Sequence, residues 1–179
     1  MKKAFSIIVA VVAVLMISGL LLVPASTPVS AGGPQILEFN SMVGVPIAYT
    51  GTKAPIRGIN GGGAPWVLTS GKGELSASGK LEVSVKGLVI DPTFASANAG
   101  KNPSAFFKAV VSCQTIGLDG LATVANVFTD PFPATIGFAV DGGGNAKFEG
   151  TLALPSPCIA PIIFVTNATG TGWFASTGN

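Results

Sequence analysis

Apolar and polar positions alternate most regularly in residues 71–90, and this pattern predicts a β-hairpin. A strand with one buried face carries its apolar residues at every second position. The second half of the stretch has this spacing, with one apolar face formed by Leu81, Val83 and Val85. Gly87 interrupts the alternation, and the apolar residues 88–90 after it predict a strand covered on both faces. We expect a turn at residues 70–73 to lead into the hairpin.

Shorter apolar or alternating stretches, separated by glycine- and proline-rich turns, predict strands on both sides of this hairpin. Residues 33–50 hold two of them, and because proline cannot donate to the ladder, Pro46 indicates that the second is an edge strand or leads into a turn. Phe106–Ile116 is the strongest later strand and is expected in the middle of a sheet. The other strands are predicted at residues 66–69, 121–129, 132–140, 147–154, 159–166 and 173–176.

Two connections between these strands have distinct compositions. Residues 91–103 are rich in small residues and predict a long connection with a single helical turn at residues 94–98. The sequence Asp-Gly-Gly-Gly-Asn at residues 141–145 predicts the loop of a second hairpin.

The spacing of the strands predicts the fold class. About nine short strands, without a 3.6-residue period after residue 31, are typical of an all-β fold: an antiparallel β-sandwich or a jelly-roll-like barrel. Residues 32–179 are numerous enough for a single domain with one core.

The N-terminal residues have the composition of a signal peptide. Lys2 and Lys3 precede an apolar run at residues 4–23, and a small-residue sequence follows at residues 29–31. We predict that residues 1–31 are a signal peptide, cleaved between Ala31 and Gly32, and that the protein is secreted or held at the cell surface. The apolar run is also long enough to cross a bilayer, so an uncleaved anchor is the alternative.

Charge limits the partners that the mature chain can bind. Without residues 1–31 the chain has eight basic and eight acidic side chains, so its net charge is near zero. It has no cluster of basic residues for a phosphate backbone or for anionic lipid, so we expect no nucleic-acid partner and no membrane partner after cleavage. The expected partners are a cell-surface polymer, a carbohydrate or a second copy of the chain.

The sequence contains two cysteines, Cys113 in a predicted central strand and Cys158 before a late one. Two cysteines in an exported chain most simply pair, so we predict a Cys113–Cys158 disulfide. The alternative is a reactive thiol, which is disfavoured because the chain has no histidine to lower its pKa.

The absence of histidine removes Ser-His-Asp and Cys-His catalysis and His-ligated metals together. Carboxylates remain as candidates, and a glycosidase needs two of them facing each other across a cleft. The chain carries Glu38, Glu74, Glu82, Asp91, Asp119, Asp130, Asp141 and Glu149. All four aspartates lie beside proline or glycine, which is typical of turn residues. We assign no catalytic residue and no cofactor, and favour a non-enzyme while leaving activity open.

Three aromatic residues could stack on a sugar ring: Tyr49, Trp66 and Trp173. We favour the interpretation that the large rings lie in the core, at the ends of the sandwich, over ligand stacking. Residues 141–145 offer too few oxygen ligands for a calcium cage, so we predict no metal site. Asn167 begins an Asn-Ala-Thr sequence, which has the form of an N-glycosylation acceptor.

Export and the lack of catalytic motifs together predict a non-enzymatic β-sandwich that acts as a structural or binding module at or outside the cell surface. One alternative is a carbohydrate-binding module or a glycoside hydrolase with two carboxylates. Another is a surface-fibre subunit, in which residues 33–50 pair with the sheet edge of a neighbouring copy. We expect these residues to fold back into their own sheet, because a tethered strand has a high effective concentration.

Overall fold

The computed structural model describes residues 33–177. The predicted signal peptide, residues 1–31, and its cleavage site before Gly32 lie outside the described residues. Within residues 33–177, no helix is long and apolar enough to cross a membrane.

The described residues form an all-β fold. Two 3₁₀ turns, Ile47–Tyr49 and Ala139–Asp141, are the only helical elements in residues 33–177. The strands in chain order are β1 (Gln35–Phe39), β2 (Met42–Gly44), β3 (Asn60–Gly61), β4 (Trp66–Val67), β5 (Ser70–Ser76), β6 (Lys80–Lys86), β7 (Val89–Ile90), β8 (Lys101–Asn102), β9 (Phe106–Ile116), β10 (Ala122–Phe128), β11 (Phe132–Pro133), β12 (Gly137–Phe138), β13 (Ala146–Thr151), β14 (Ile159–Asn167) and β15 (Gly172–Thr177).

The longer strands form two antiparallel sheets. Sheet A has the order β1-β5-β6-β13, and sheet B has the order β10-β9-β14-β15-β2. Two short strands join sheet B, β11 beside β9 and β3 parallel to β15. The predicted antiparallel all-β, sandwich-like fold is confirmed. The predicted number of about nine strands is too low, because six of the fifteen strands have only two residues and show no alternation.

One hydrophobic core includes residues from both sheets. The predicted apolar face of β6 is buried, since its members are at most 1% exposed: Leu81, Val83 and Val85. The predicted central strand Phe106–Ile116 is β9, which lies between β10 and β14 in sheet B. The Cys113–Cys158 disulfide is also confirmed, and it links β9 to the residue before β14.

The predicted turn at residues 70–73 is wrong, because these residues lie inside β5. Gly73 serves close packing between strands and does not form a turn, because a Cβ atom at this position would overlap the carbonyl oxygen of Glu82. The hairpin turn is formed by residues 77–79. Gly87 has a φ of 60° and separates β6 from β7, which pairs with β4.

The second predicted hairpin, around residues 141–145, is not formed. Its expected return strand, β13, pairs with β6 and completes sheet A. A hydrogen bond of 2.9 Å from Gly87 N to Asn145 Oδ1 holds the loop at the end of β6. Residues 132–140 form the two short strands β11 and β12 instead of one strand. The connection at residues 91–103 contains turns and β8, without the helical turn expected at residues 94–98.

The segment at residues 33–50 pairs within its own chain, as expected. β1 pairs with β5, and β2 pairs with β15. β2 is the last strand of sheet B and is followed by Pro46, which agrees with the predicted edge position. Residues 46–62 then pass across sheet B, and we call this segment the strap. The strap is held by backbone hydrogen bonds such as that of 2.7 Å from Gly62 N to the Trp173 carbonyl.

The two ends of the sandwich are distinguished by their contacts. At one end the Leu152 N–H donates to the Gly79 carbonyl at 2.9 Å, and the chain continues through residues 153–157 to Cys158. We call this the disulfide end. At the other end Trp66, which precedes β5, packs against Phe107 of sheet B. We call this the Trp66 end.

Candidate functional site

The three aromatic residues considered as a possible ligand platform do not lie together. The Trp66 ring stacks on Phe174, with ring centroids 3.9 Å apart. The Trp173 ring packs against a different partner, Phe164, at 6.0 Å. Trp66 and Trp173 are 5% and 2% exposed, so both rings belong to the core, as the favoured interpretation holds.

Tyr49 is the only one of the three aromatic residues that reaches the surface, with 40% of its area exposed. It stands on the strap and meets Trp173 edge-on at 6.4 Å. The two rings border an open hollow of about 240 Å³ whose lining is mainly apolar. The structure therefore brings together Tyr49 and Trp173, but not Trp66.

A row of four glutamates crosses sheet A. Glu38 lies opposite Glu74, and Glu74 lies opposite Glu82. Glu149 lies opposite Glu82 on the other side, so each of the four strands contributes one glutamate. Neighbouring strands are about 4.8 Å apart, which makes this glutamate row about 14 Å long. The structure thus places in one line four carboxylates that the sequence presents as separate candidates.

Lysines flank the glutamate row. Lys80 Nζ lies 2.8 Å from Glu82 Oε1 and 3.8 Å from Glu149 Oε1. Lys147 Nζ lies 3.7 Å from Glu149 Oε2. The hydrogen bond and charge of Lys80 lower the pKa of Glu82, and the same pair raises the pKa of Lys80. Because like charges directly opposite each other destabilise a sheet, these lysines offset part of the repulsion within the row.

Three members of the glutamate row line a shallow groove of about 530 Å³. Gly73 contributes to the lining of the groove, and Phe39 borders it. The charged lining residues are Glu38, Lys72, Glu74, Glu82, Lys86 and Lys147. The groove therefore offers carboxylate acceptors and ammonium donors side by side on an open surface.

Glu74 and Glu82 are the pair that comes closest to the carboxylates of a glycosidase. The two residues are directly opposed on neighbouring strands, with Cβ atoms about 4.5–5.5 Å apart, and a retaining enzyme needs two neighbouring carboxyl groups. A general acid, however, needs a raised pKa, whereas the hydrogen bond from Lys80 lowers the pKa of Glu82. The two carboxylates are neighbours, but the pair lacks the electrostatics of a catalytic acid.

Acid is expected to remove the stabilising contribution of Glu82. Because the pKa of Glu82 is lowered from its ordinary value of 4.5, this contribution is complete above that pH and is lost as the pH falls through the folded-state pKa. We expect the difference in unfolding free energy between wild type and Glu82→Gln to shrink as the pH falls below about 5 and through the lowered pKa of Glu82. Urea unfolding at each pH measures the two unfolding free energies. A difference that stays constant or grows as the pH falls would contradict the lowered pKa of Glu82.

Two of the aspartates close turns, as their neighbours in the sequence predict. Asp91 Oδ1 accepts hydrogen bonds from the hydroxyl of Thr93 at 2.7 Å and from its N–H at 2.8 Å. Both bonds lower the pKa of Asp91. Asp119 Oδ1 accepts a hydrogen bond from Leu121 N at 3.0 Å. These carboxylates stabilise the local backbone.

The loop at residues 141–145 uses one of its two candidate oxygen ligands within the fold. Asn145 Oδ1 accepts the hydrogen bond from Gly87 N described above. In the part of the chain that the structure describes, no three His, Cys, Asp or Glu side chains are grouped so that they could hold a metal ion.

Asn167 closes the turn between β14 and β15. Its Oδ1 accepts hydrogen bonds from the N–H groups of Thr171 at 2.9 Å and Gly172 at 3.3 Å. Its Nδ2, the atom that would carry a glycan, donates to Thr171 Oγ1 at 3.1 Å. Asn167 has a structural role that does not depend on glycosylation, and its modification stays a prediction.

Arg57 fastens the strap to sheet B, a role that sequence reasoning missed. Its guanidinium donates to the carbonyls of Ser112 at 2.6 Å and Ala160 at 2.7 Å. Its own carbonyl accepts a hydrogen bond from Asn126 Nδ2 at 3.1 Å. Arg57 and Ala160 have positive φ angles of 49° and 45°, which side-chain-bearing residues seldom adopt. The one sequence feature that could have drawn attention to Arg57 is that it is the only arginine in the chain.

Removal of the Arg57 guanidinium is expected to loosen the strap while the two sheets stay folded. Each lost hydrogen bond contributes about 0.5–1.5 kcal/mol, so we expect Arg57→Met to speed amide exchange in residues 46–62 by about tenfold. Hydrogen–deuterium exchange measured by mass spectrometry tests this. Lys53→Met, which removes exposed contacts within the same strap, is the matched control. Unchanged protection in Arg57→Met would show that other contacts hold the strap.

No family model, curated protein or solved structure matches the chain. The choice among the candidate sites therefore depends on geometry. The glutamate row combines surface exposure, alignment across four strands and charges of both signs, whereas the turn aspartates and the two tryptophans serve the fold.

Proposed function

We propose that the protein is an exported, non-enzymatic β-sandwich that binds an extended cell-surface polymer through the glutamate row and its groove. The observation that carries this proposal is the register of the row, with one carboxylate on each strand of sheet A. Like charges placed opposite each other reduce sheet stability. Lys80 and Lys147 compensate this repulsion at Glu82 and Glu149, so the row keeps four carboxylates aligned on an open surface next to groups of the opposite charge.

The chemistry of the groove favours a ligand with repeated hydroxyl or amino groups. Carboxylates accept hydrogen bonds from such groups, and lysine ammonium groups donate to ligand oxygens. A polymer with groups repeated at about the spacing between strands, roughly 5 Å, can contact several glutamates at once. A carbohydrate that carries amino groups has this chemistry, and its affinity would come from several weak contacts acting together.

The disulfide supports export. Disulfides form and persist mainly in oxidising compartments outside the cytoplasm, and Cys113 and Cys158 are joined in the fold. The predicted signal peptide provides the route of export. Secretion or display at the cell surface accounts for both features.

Two of the alternatives, the glycoside hydrolase and the surface-fibre subunit, are less well supported. A hydrolase needs a carboxylic acid that is protonated at its working pH, and the lowered pKa of Glu82 opposes this in the best-placed pair. A fibre subunit would have to release residues 33–50 for exchange, but β1 and β2 pair with strands of both sheets in their own chain.

Binding to insoluble polysaccharides and to a glycan array tests the proposal. We expect retention on a polymer that bears hydroxyl and amino groups, weaker binding at high salt, and a loss of about tenfold or more in Glu74→Gln/Glu82→Gln. Asp130→Asn/Asp141→Asn is the matched control, because it changes the net charge equally at exposed positions outside the row. Equal binding by the row variant would refute the assignment, and release of sugar would favour the hydrolase.

A further inference from the structure

An exposed apolar surface lies at the disulfide end of the sandwich. Its five large side chains are from 42% to 112% exposed: Ile116, Leu118, Leu121, Val124 and Ile159. We call this surface the apolar patch. Asp119 is the only charged residue between residues 109 and 129, and Arg57 borders the patch where it donates to the carbonyl of Ala160, next to Ile159.

The registers of sheet B place the members of the patch side by side. Val124 and Ile159 both lie opposite Gln114, on the strands to either side of β9. Ile116 is two residues from Gln114 and therefore points to the same face. The turn at residues 117–121 carries the two leucines and is closed by a hydrogen bond of 2.8 Å between its first N–H and its last carbonyl. Backbone pairing and the turn therefore hold the members of the patch near one another, with an irregularity in the ladder between Ile159 and Ile162.

The described chain begins at the same end of the sandwich. The Ala77 N–H donates to the Pro34 carbonyl at 2.7 Å, so the start of β1 lies beside the hairpin turn at the disulfide end. In the sequence, residues 24–32 separate this point from the apolar run at residues 4–23, which is long enough to cross a bilayer. The patch and the point where the chain enters the fold share one end.

We propose that the apolar patch docks on a lipid bilayer, with the disulfide end of the sandwich facing the membrane. The apolar side chains enter the boundary between head groups and acyl chains, where each buried leucine strengthens binding by about tenfold or more. Docking does not require anionic lipid, because the patch carries no lysine or arginine. This inference goes beyond polymer binding and applies to the form of the chain that keeps its N-terminal run.

Tryptophan substitution in the full chain, reconstituted in phosphatidylcholine vesicles with brominated acyl chains, tests the proposal. We expect the fluorescence of Leu118→Trp to be blue-shifted and quenched relative to wild type, in which the two native tryptophans are buried. Val140→Trp is the matched control. Val140 is 92% exposed and follows Ala139, which lies beside Gly87 at the end of β6 opposite the disulfide end. We expect no added quenching at this position.

A second substitution keeps the test decisive if one variant folds poorly. Leu121→Trp should reproduce the quenching, and circular dichroism should show unchanged strand content in all three variants. Adding anionic phosphatidylglycerol to the vesicles should leave the quenching unchanged. Equal quenching at positions 118 and 140 would show that the sandwich has no preferred orientation on the membrane. Quenching at none of the three positions would assign the patch to a partner other than lipid, and either result would overturn the proposal.

Discussion

Replacing both cysteines by alanine is expected to lower the free energy of unfolding by about 4 kcal/mol and the melting temperature by on the order of 10 °C. The Cys113–Cys158 bond closes a loop with a sequence separation of 45, and the unfolded chain gains the entropy of that loop when the bond is absent. The bond also ties the middle of sheet B to the connection that arrives from sheet A. Urea and thermal unfolding followed by circular dichroism measure both quantities.

Reduction of the wild-type protein with dithiothreitol is the control for this double variant. It opens the same loop without deleting the sulfur atoms, so a similar loss of stability is expected. Alanine is used because Cys113 is fully buried and a serine hydroxyl would enter the core. A loss below about 1 kcal/mol in both experiments would show that the unfolded chain is already compact without the bond.

Trp66→Ala is expected to destabilise the fold by about 3–5 kcal/mol. The ring is 5% exposed, stacks on Phe174 and meets Phe107 edge-on, so its removal leaves a large cavity at the Trp66 end of the core. Urea unfolding measures the loss. Tyr49→Ala, at a ring that is 40% exposed, is the control and should cost about 1 kcal/mol or less.

Trp66→Ala also tests whether Trp66 stacks on a sugar ligand. If Trp66 served a sugar ligand, Trp66→Ala would lose polysaccharide binding while keeping its stability. We expect the reverse: a large loss of stability, with the remaining folded fraction binding as the wild type does. Binding lost at unchanged stability would return Trp66 to the ligand site.

A strand could be predicted from the sequence where the pattern of its own side chains is enough to identify it. In β6 the alternation of apolar and charged side chains identifies the buried face without knowledge of its neighbours. β9 is long and apolar enough to be assigned to the middle of a sheet. Gly73, by contrast, resembles a turn residue but lies in a strand, because the close approach of Glu82 from β6 is a tertiary contact.

The candidate site was less predictable, because it depends on which strands pair and in what register. Alternation shows that Glu82 faces solvent, but only the pairing of β6 with β13 places Glu149 beside it. A shift of one residue in that pairing would move the glutamate to the other face. Arg57 was missed for a similar reason, since its acceptors Ser112 and Ala160 are 55 and 103 residues away in the sequence.

The pairing of β2 with β15 has a consequence for the timing of folding. Gly44 lies opposite Ala175, so this part of sheet B joins the two ends of the described chain. Folds dominated by such distant pairings form slowly, in milliseconds to seconds, because a long loop must close before its contacts stabilise it. While the chain is being synthesised, β2 has no partner until β15 has emerged. In a protein exported as proposed, this delay would keep the sandwich open, and the chain able to pass through a membrane, until synthesis is nearly complete.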